Sequence, residues 1–409
     1  MNVRSPRLGW VTGWGALLLL VPLVALGQAA PETDGTPPAY YAEADAPEES
    51  VLSNSFVKEE GKRGLDLLYN MRFDEANAIF EEIDARHPDH PIGPFLKALN
   101  TWWEILLDLS DESHDEAFYD EMSRVIDRAE AMPADESFDA SFFKSVAYGL
   151  RGRLRSNRSQ WARAALDGRR ALNHVQKLSD EAPNNPDFAF GEGIYNYYVE
   201  LLPERYPFAQ PFMVLFPDGS KEEGLEQLET AAQDGWYIQA EARYFLLQIY
   251  HLYENDYARS RQHARTLRQQ YPDNPFFHAF EGRVYARWAR WDQVRSVYGE
   301  VLERYEDGQT GYNDYIAEQA LYYLGRERIA ADDYQEALQY LLQLDALSAR
   351  DGGEESPFRT LGRLHQGMAY DAQDNRPAAE QRYREVLEMD DVSNAHARAE
   401  RYLDDPYGG

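Results

Sequence analysis

Arginine stands out among the residues whose type and spacing could do chemistry. Arg151, Arg153, Arg155, Arg158, Arg163, Arg169 and Arg170 are crowded together, opposed only by Asp167. A guanidinium offers five donors in a planar fork, so such a run would hold an acidic peptide, a polyanion or an anionic glycan through paired hydrogen bonds. The competing expectation is that the chain's own carboxylates occupy these arginines. A second set is spread along the chain: Phe245, Ile249, Tyr253, Arg283, Arg287, Tyr322 and Arg326. Its arginines would clamp a peptide carboxylate, and its tyrosines would supply flat contact area. A third set is the aromatic stretch Pro203–Pro217, with four prolines and Tyr206, Phe208, Phe212 and Phe216. It would either touch a partner or membrane surface or fold back as a plug on its own repeat.

Catalytic chemistry finds less support. The nine histidines are scattered, and none makes His-Glu-x-x-His or another metal spacing. The chain has no cysteine, which excludes disulfides, thiol nucleophiles and thiolate metal sites. Gly191-x-Gly193 follows no strand, so it is not a dinucleotide signature. Trp102-Trp103-Glu104 and Trp288/Trp291-Asp292 could be read as carbohydrate-stacking rings beside carboxylates, as in a secreted helical toroid acting on polysaccharide. The plainer reading places these rings between repeats. No catalytic, metal-ligating or cofactor-binding residue is assigned.

These side chains need elements to hold them, and a recurring spacing supplies the elements. A small residue is followed 12 positions later by another, and 4 later by a bulky one. Gly64, Ala76 and Phe80 show it, as do Gly325, Ala337 and Leu341, and Gly367, Ala379 and Tyr383. Gly282, Val294 and Tyr298 fit with valine in the second slot, and Gln248, Ser260 and Ala264 fit loosely. Gln248 to Gly282 is 34 residues, the length of a tetratricopeptide repeat. A small residue on a first helix A lets a second helix B approach closely, and the bulky residue is expected to fill the groove between units. Prolines such as Pro88 and Pro272 end helix B. Residues 91–134, 136–183 and 186–236 read as degenerate units with longer A-to-B turns. The expected fold is therefore all-α: a right-handed α-solenoid of about eight helix-turn-helix units, three of them degenerate. Regular units cover 57–90 and 237–392, degenerate ones 91–236, and a capping helix 393–403. Helix A would line a concave groove, which is why the second residue set is grouped.

Within this array, Gly191-Glu-Gly-Ile-Tyr-Asn196, Leu201-Leu202-Pro203, Gly224-Leu225-Glu226-Gln227-Leu228 and Phe280-Glu-Gly-Arg283 follow a familiar order. Residues 186–306 resemble the inclusion-body-clearance and outer-membrane tetratricopeptide family, the tetratricopeptide-repeat 39 group. Phe216-Pro-Asp-Gly-Ser220 departs from that family's link. The resemblance implies a helical-repeat adaptor, with no catalytic residues to carry over.

The 409 residues carry 71 acidic and 41 basic side chains, a net charge of −30. That excess repels nucleic acid and anionic membrane as bulk partners. Residues 1–29 have the parts of a signal peptide: Arg4 and Arg7, an apolar run from Val11 to Leu26, then small residues. Cleavage would give an exported, periplasmic or secreted chain; retention of 11–27 would anchor it in the inner membrane. Residues 30–55 read as an acidic Pro/Ala-rich linker. The leading expectation is a non-enzymatic exported scaffold holding a protein or peptide partner in its groove. The alternatives are the toroid enzyme and a membrane-anchored assembly factor. Membrane contact is expected only through an uncleaved N-terminus or the 203–217 loop.

Overall fold

The computed structural model describes residues 49–109, 111–132, 138–181, 185–214, 216–350 and 356–408. The expected signal peptide and most of the linker lie outside them. The described residues fold as helices without a strand. A short 3-10 turn, Val51–Ser53, precedes α1 (Ser55–Tyr69), α2 (Phe73–Arg86), α3 (Ile92–Leu107), α4 (Asp115–Glu130), α5 (Phe138–Asn157), α6 (Trp161–Glu181) and α7 (Pro186–Arg205). After the four-residue α8 (Gln210–Met213) come α9 (Lys221–Asp234), α10 (Gln239–Leu252) and α11 (Tyr257–Gln270). Then follow α12 (Pro275–Arg287), α13 (Trp291–Glu306), α14 (Asp314–Ala330), α15 (Tyr334–Ser348), α16 (Pro357–Asp371), α17 (Arg376–Leu387) and α18 (Ala395–Asp404).

Local signals start and stop these helices. The side chains of Asn54, Asn185, Ser220, Asp256, Asn274, Asn313, Asp333 and Ser356 accept backbone N–H bonds at helix N-termini. Proline follows the cap at Pro186, Pro275 and Pro357, where its missing N–H costs nothing. Most pairs turn from first to second helix through one left-handed residue: Met71, Ser159, Asn255, Ala289, Asp332 or Asp374. The next N–H reaches back into the finished helix, as from Arg72 to the Leu67 carbonyl (3.0 Å) and from Asp333 to that of Arg328 (2.9 Å). A turn of fixed length fixes the offset between facing positions, which is the physical source of the 12-residue spacing.

The interlock itself differs from expectation in one respect. The bulky residue sits over the glycine of its own pair rather than between units. A Cβ at Gly64 would lie within 3.2 Å of three atoms of the Phe80 ring, and one at Gly282 would meet Tyr298 at 2.5 Å. Gly325 faces Leu341 and Gly367 faces Tyr383 in the same way. Gly193 and Gly224 let α7 and α9 touch backbone to backbone. In the α10–α11 pair the sizes are exchanged, with buried Gln248 at the small position and Ala264 at the bulky one. The pair α5–α6 has no lengthened turn: α5 ends at Asn157 and α6 begins at Trp161, so Gly152 and Ala164 carry the spacing and the extra residues lengthen the helices.

The chain divides after Tyr271 into two compact units. In the first, the pairs α1–α2, α3–α4, α5–α6, α7–α9 and α10–α11 follow one another, and the last returns to the first. Tyr69 of α1 lies 5.4 Å from Trp103 of α3 and 4.9 Å from Tyr271, ring to ring. Its hydroxyl donates to Glu241 of α10 at 3.4 Å, and Tyr271 donates to Asp66 at 3.4 Å. Between them, Phe95 meets Phe143, Phe142 meets Phe188 and Phe190 meets Phe245. The open trough expected here is thus closed, because aromatic side chains on α1, α3, α5, α7 and α10 pack on one another at its centre. The second unit stacks α12–α13, α14–α15 and α16–α17, and α18 caps it. Arg376 donates to the Tyr402 carbonyl (2.8 Å), and the rings of Tyr383 and Tyr402 lie 5.5 Å apart.

Candidate functional site

In the second unit the first helices of successive pairs carry arginines that aromatic rings hold. The Arg283 guanidinium lies 3.9 Å from the Phe280 ring centre and 5.7 Å from that of Phe276. Arg326 of α14 sits 5.6 Å from both Tyr322 and Tyr323 and 5.7 Å from Trp291. Arg398 of α18 donates to the sulfur of Met368. Among the described residues, none of these three has a carboxylate within ion-pair distance, and the Nε of Arg283 is buried without an acceptor. His365 lies between them, its ring edge-on to Tyr322 at 5.5 Å. Its Nδ1 donates to the Leu361 carbonyl at 2.7 Å, which leaves Nε2 unprotonated in the neutral ring. Burial, then the charges of Arg326 and Arg398, push its pKa down to about 3, so it stays neutral beside them.

Several other arginines of the same unit are paired with carboxylates. Arg295 and Arg328 pair with Glu327, Arg363 with Asp345 and Glu385, and Arg376 with Asp371 and Glu380. The contacts of Arg295, of Arg363 and of Arg376 with Asp371 join neighbouring helices, whereas Arg328–Glu327 and Arg376–Glu380 lie within one helix. The Arg283–Arg326–Arg398 row is left for something else.

The other expected sets disperse. Tyr322 is buried, walled by Phe358 and His365, so it supports Arg326 rather than offering a free face. Arg287 is exposed. In the first unit Phe245 and Ile249 are buried, and Tyr253 stands edge-on to Tyr198 at 6.1 Å. Closure of that unit removes them from any groove. The arginine run 151–158 does not form one patch. Arg151 makes a two-pronged contact to Asp167 at 2.8 Å on each side, and Arg155 shares the same carboxylate. Arg158 grips Asp115 and the carbonyls of Leu109 and Asp111. Arg153 points away from these three, into the centre of the first unit.

The insert after α7 folds back on its own unit. Phe208 packs on Trp161 (5.1 Å) and on Tyr206, while half of its surface and most of Val214 stay exposed. Tyr195 donates to the Pro217 carbonyl and holds the far end. Phe212 and Phe216 are half-buried. Pro203 does not stop α7, which runs two residues beyond it. Of the tryptophan–carboxylate clusters, Trp102 and Trp103 are buried, Glu104 faces His114 at 3.6 Å, and Trp291 lies under Arg326. Among the described residues no cluster of His, Asp and Glu could hold a metal ion, and no helix is long and apolar enough to cross a membrane.

Sequence reasoning missed Arg398, His365 and Tyr323. Met368 follows Gly367 as Arg283 and Arg326 follow Gly282 and Gly325, and the arginine that completes the row comes from the capping helix. It also missed a latch at the start of the first unit. Asp139 of α5 accepts from Ser50 Oγ, from the Val51 N–H (2.8 Å) and from His90 Nε2 (3.1 Å). His90 Nδ1 accepts the Ile92 N–H, which fixes the tautomer. Tyr237 donates to the Leu52 carbonyl from the other side.

An all-α array of antiparallel helix pairs, each interlocked small against bulky, is an α-solenoid, the class that includes tetratricopeptide repeats. Several solved structures are similar to this chain. The TPR domain of P58(IPK) is 14% identical, covering 86% of this chain and 99% of that one, with a TM-score of 0.23. The APC/C hetero-tetramer Cut9-Hcn1 is 13% identical, covering 84% and 89%, also with a TM-score of 0.23. At such scores the class rests on the helix pairs themselves. No family model and no curated protein matches the chain.

Proposed function

We propose that the chain is an interaction scaffold whose second unit takes an acidic segment of a partner protein along Arg283, Arg326 and Arg398. The carrying observation is a row of arginines without carboxylates in a chain that has acids to spare. Buried or half-buried arginines are ordinarily paired. Here aromatic faces hold Arg283 and Arg326 ready and the Met368 sulfur holds Arg398, which lowers the ordering cost of binding. The neutral His365 keeps the row uninterrupted by acid. Export after loss of residues 1–29, and an adaptor role like that implied by the tetratricopeptide-repeat 39 resemblance, belong to the same proposal. N-terminal sequencing of the mature chain tests the export step.

A fluorescein-labelled oligoglutamate peptide is the probe. Its anisotropy should rise on titration with the full chain. The double variant Arg283→Glu/Arg326→Glu should lose most of that binding while keeping its helicity. Arg295→Glu, an exposed position paired elsewhere, should retain it. Equal loss in both variants would reduce the interaction to general charge and overturn the assignment.

A further inference from the structure

At the centre of the first unit lies an arginine that no carboxylate of the described residues pairs with directly. Arg153 of α5 is 3% exposed. Its guanidinium stands 4.8 Å from the Trp102 ring, 4.8 Å from Phe245 and 5.4 Å from Tyr244. It makes one hydrogen bond, from Nη2 to the Tyr244 hydroxyl at 3.1 Å. Among the described residues no carboxylate lies within ion-pair distance of it. Glu241 feels its charge from farther off, and burial outweighs that attraction and raises the carboxyl's pKa.

The surrounding polar groups share one character. Among the described residues, Arg153 Nε, the indole N–H of Trp102 and the amide Nδ2 of Asn157 are buried donors without an acceptor. Asn157 lies one turn along α5 from Arg153, on the same face. The Tyr198 hydroxyl, on α7, is likewise buried and without a partner. Arg153 is the charge that most opposes the rise burial imposes on that phenol, which places the two close together. Aromatic faces soften the cost of burying a guanidinium, but they supply no acceptor for its N–H groups. Donors in excess around a buried cation call for an anion with several acceptor atoms.

We infer that Arg153, Trp102, Asn157 and Tyr198 form an internal binding site for a small oxyanion, a carboxylate or a tetrahedral inorganic anion. The aromatic walls restrict it to a compact ligand, and the several donors favour an oxyanion over chloride. This site is independent of the arginine row in the second unit.

The experiment titrates the full chain with sodium acetate, sulfate, phosphate or chloride at constant ionic strength, following tryptophan fluorescence and thermal unfolding. Saturable stabilisation with a fluorescence change is expected from at least one oxyanion and not from chloride. Acetate acting alone identifies a carboxylate site; sulfate or phosphate acting identifies a tetrahedral one. Trp102→Phe keeps an aromatic side chain and removes the N–H, and, followed by thermal unfolding, should weaken the titration about tenfold, the size of one charge-assisted hydrogen bond. Arg153→Gln should abolish it. If that variant does not fold, Asn157→Leu provides the second donor deletion, with a similar weakening expected. Identical responses to chloride and the oxyanions, or an unchanged titration in Trp102→Phe and Asn157→Leu, would overturn the site.

Discussion

The same substitution, glycine to alanine in a helix interior, should act with opposite sign at two positions. Gly367 lies in α16 under Tyr383. An added Cβ would stand 2.3 Å from Tyr383 Cε1, 2.7 Å from Cδ1 and 2.9 Å from Cζ. The ring has no easy escape. Its hydroxyl donates to Asp371 at 2.8 Å, the residue is fully buried, and Tyr402 backs it. Overpacking of this kind costs about 1–3 kcal/mol, and a pinned ring belongs at the upper end. Alanine returns about 1 kcal/mol of helix propensity. The net loss for Gly367→Ala is therefore about 2 kcal/mol. Gly299 lies in the interior of α13, where an added Cβ meets no heavy atom within 4 Å. There only the propensity gain remains, so Gly299→Ala should stabilise by about 1 kcal/mol. Urea unfolding followed by far-UV circular dichroism measures both. The two variants should separate by about 3 kcal/mol. If Gly367→Ala unfolds at or above the wild-type midpoint, the interlock is wrongly located.

Three further substitutions test the framework. Ala289 holds the turn between α12 and α13 at φ 54°, so Ala289→Gly should stabilise by about 1 kcal/mol in the same urea assay. Asp167 is fully buried under Arg151, Arg155 and Arg170, and Asp167→Asn should cost about 3–5 kcal/mol by leaving those charges uncompensated. Burial pushes the Asp139 carboxyl up, but bonds from His90, Ser50 and Val51 outweigh it and hold the pKa below the usual range. A depressed folded pKa adds stability that is present above the unfolded value of about 3.9 and lost as pH falls through the folded one. Asp139→Asn should thus be less stable at neutral pH by about 1.5–3 kcal/mol and flatter on the acid limb of a stability-against-pH curve.

The pairing of helices was legible because it depends on local geometry. A fixed turn and one glycine under one large side chain leave a spacing that survives in the residue order. The spacing grouped Gly64 with Phe80 and Gly367 with Tyr383, but it placed the ring between units rather than over the glycine of its own pair. The same rule gave residues 136–183 a lengthened turn, because several small residues there compete for the spacing, and only the left-handed Ser159 separates the choices. Closure of the first unit was not legible. It depends on how much each pair rotates against the next, and that angle comes from ring shapes such as Tyr69 against Trp103, not from spacing. Tyr322 was misassigned for a related reason, since its outward side is covered by Phe358 from the next pair. The arginine run at 151–158 illustrates the limit most plainly. Alternate residues of a helix face different ways, so neighbours in sequence found Asp167, Asp115 and the interior, respectively.

Salt should distinguish the two cationic sites, because their surroundings differ. With 71 acids to 41 bases, an arginine without a carboxylate does not reflect scarcity. Arg283 and Arg326 are half-buried, so their attraction for an acidic peptide acts partly through solvent. At 0.15 M ionic strength the screening length is about 8 Å, falling to about 3 Å at 1 M. Oligoglutamate binding should weaken steeply over that range. Arg153 lies out of solvent, and its contacts to an oxyanion would be direct and unscreened. Sodium chloride should leave oxyanion affinity there nearly constant, apart from any competition by chloride itself. Parallel titrations of the full chain, by peptide anisotropy and by tryptophan fluorescence, provide both slopes. A steep slope at both sites would mean that the Arg153 box is open to solvent, against its burial in the structure.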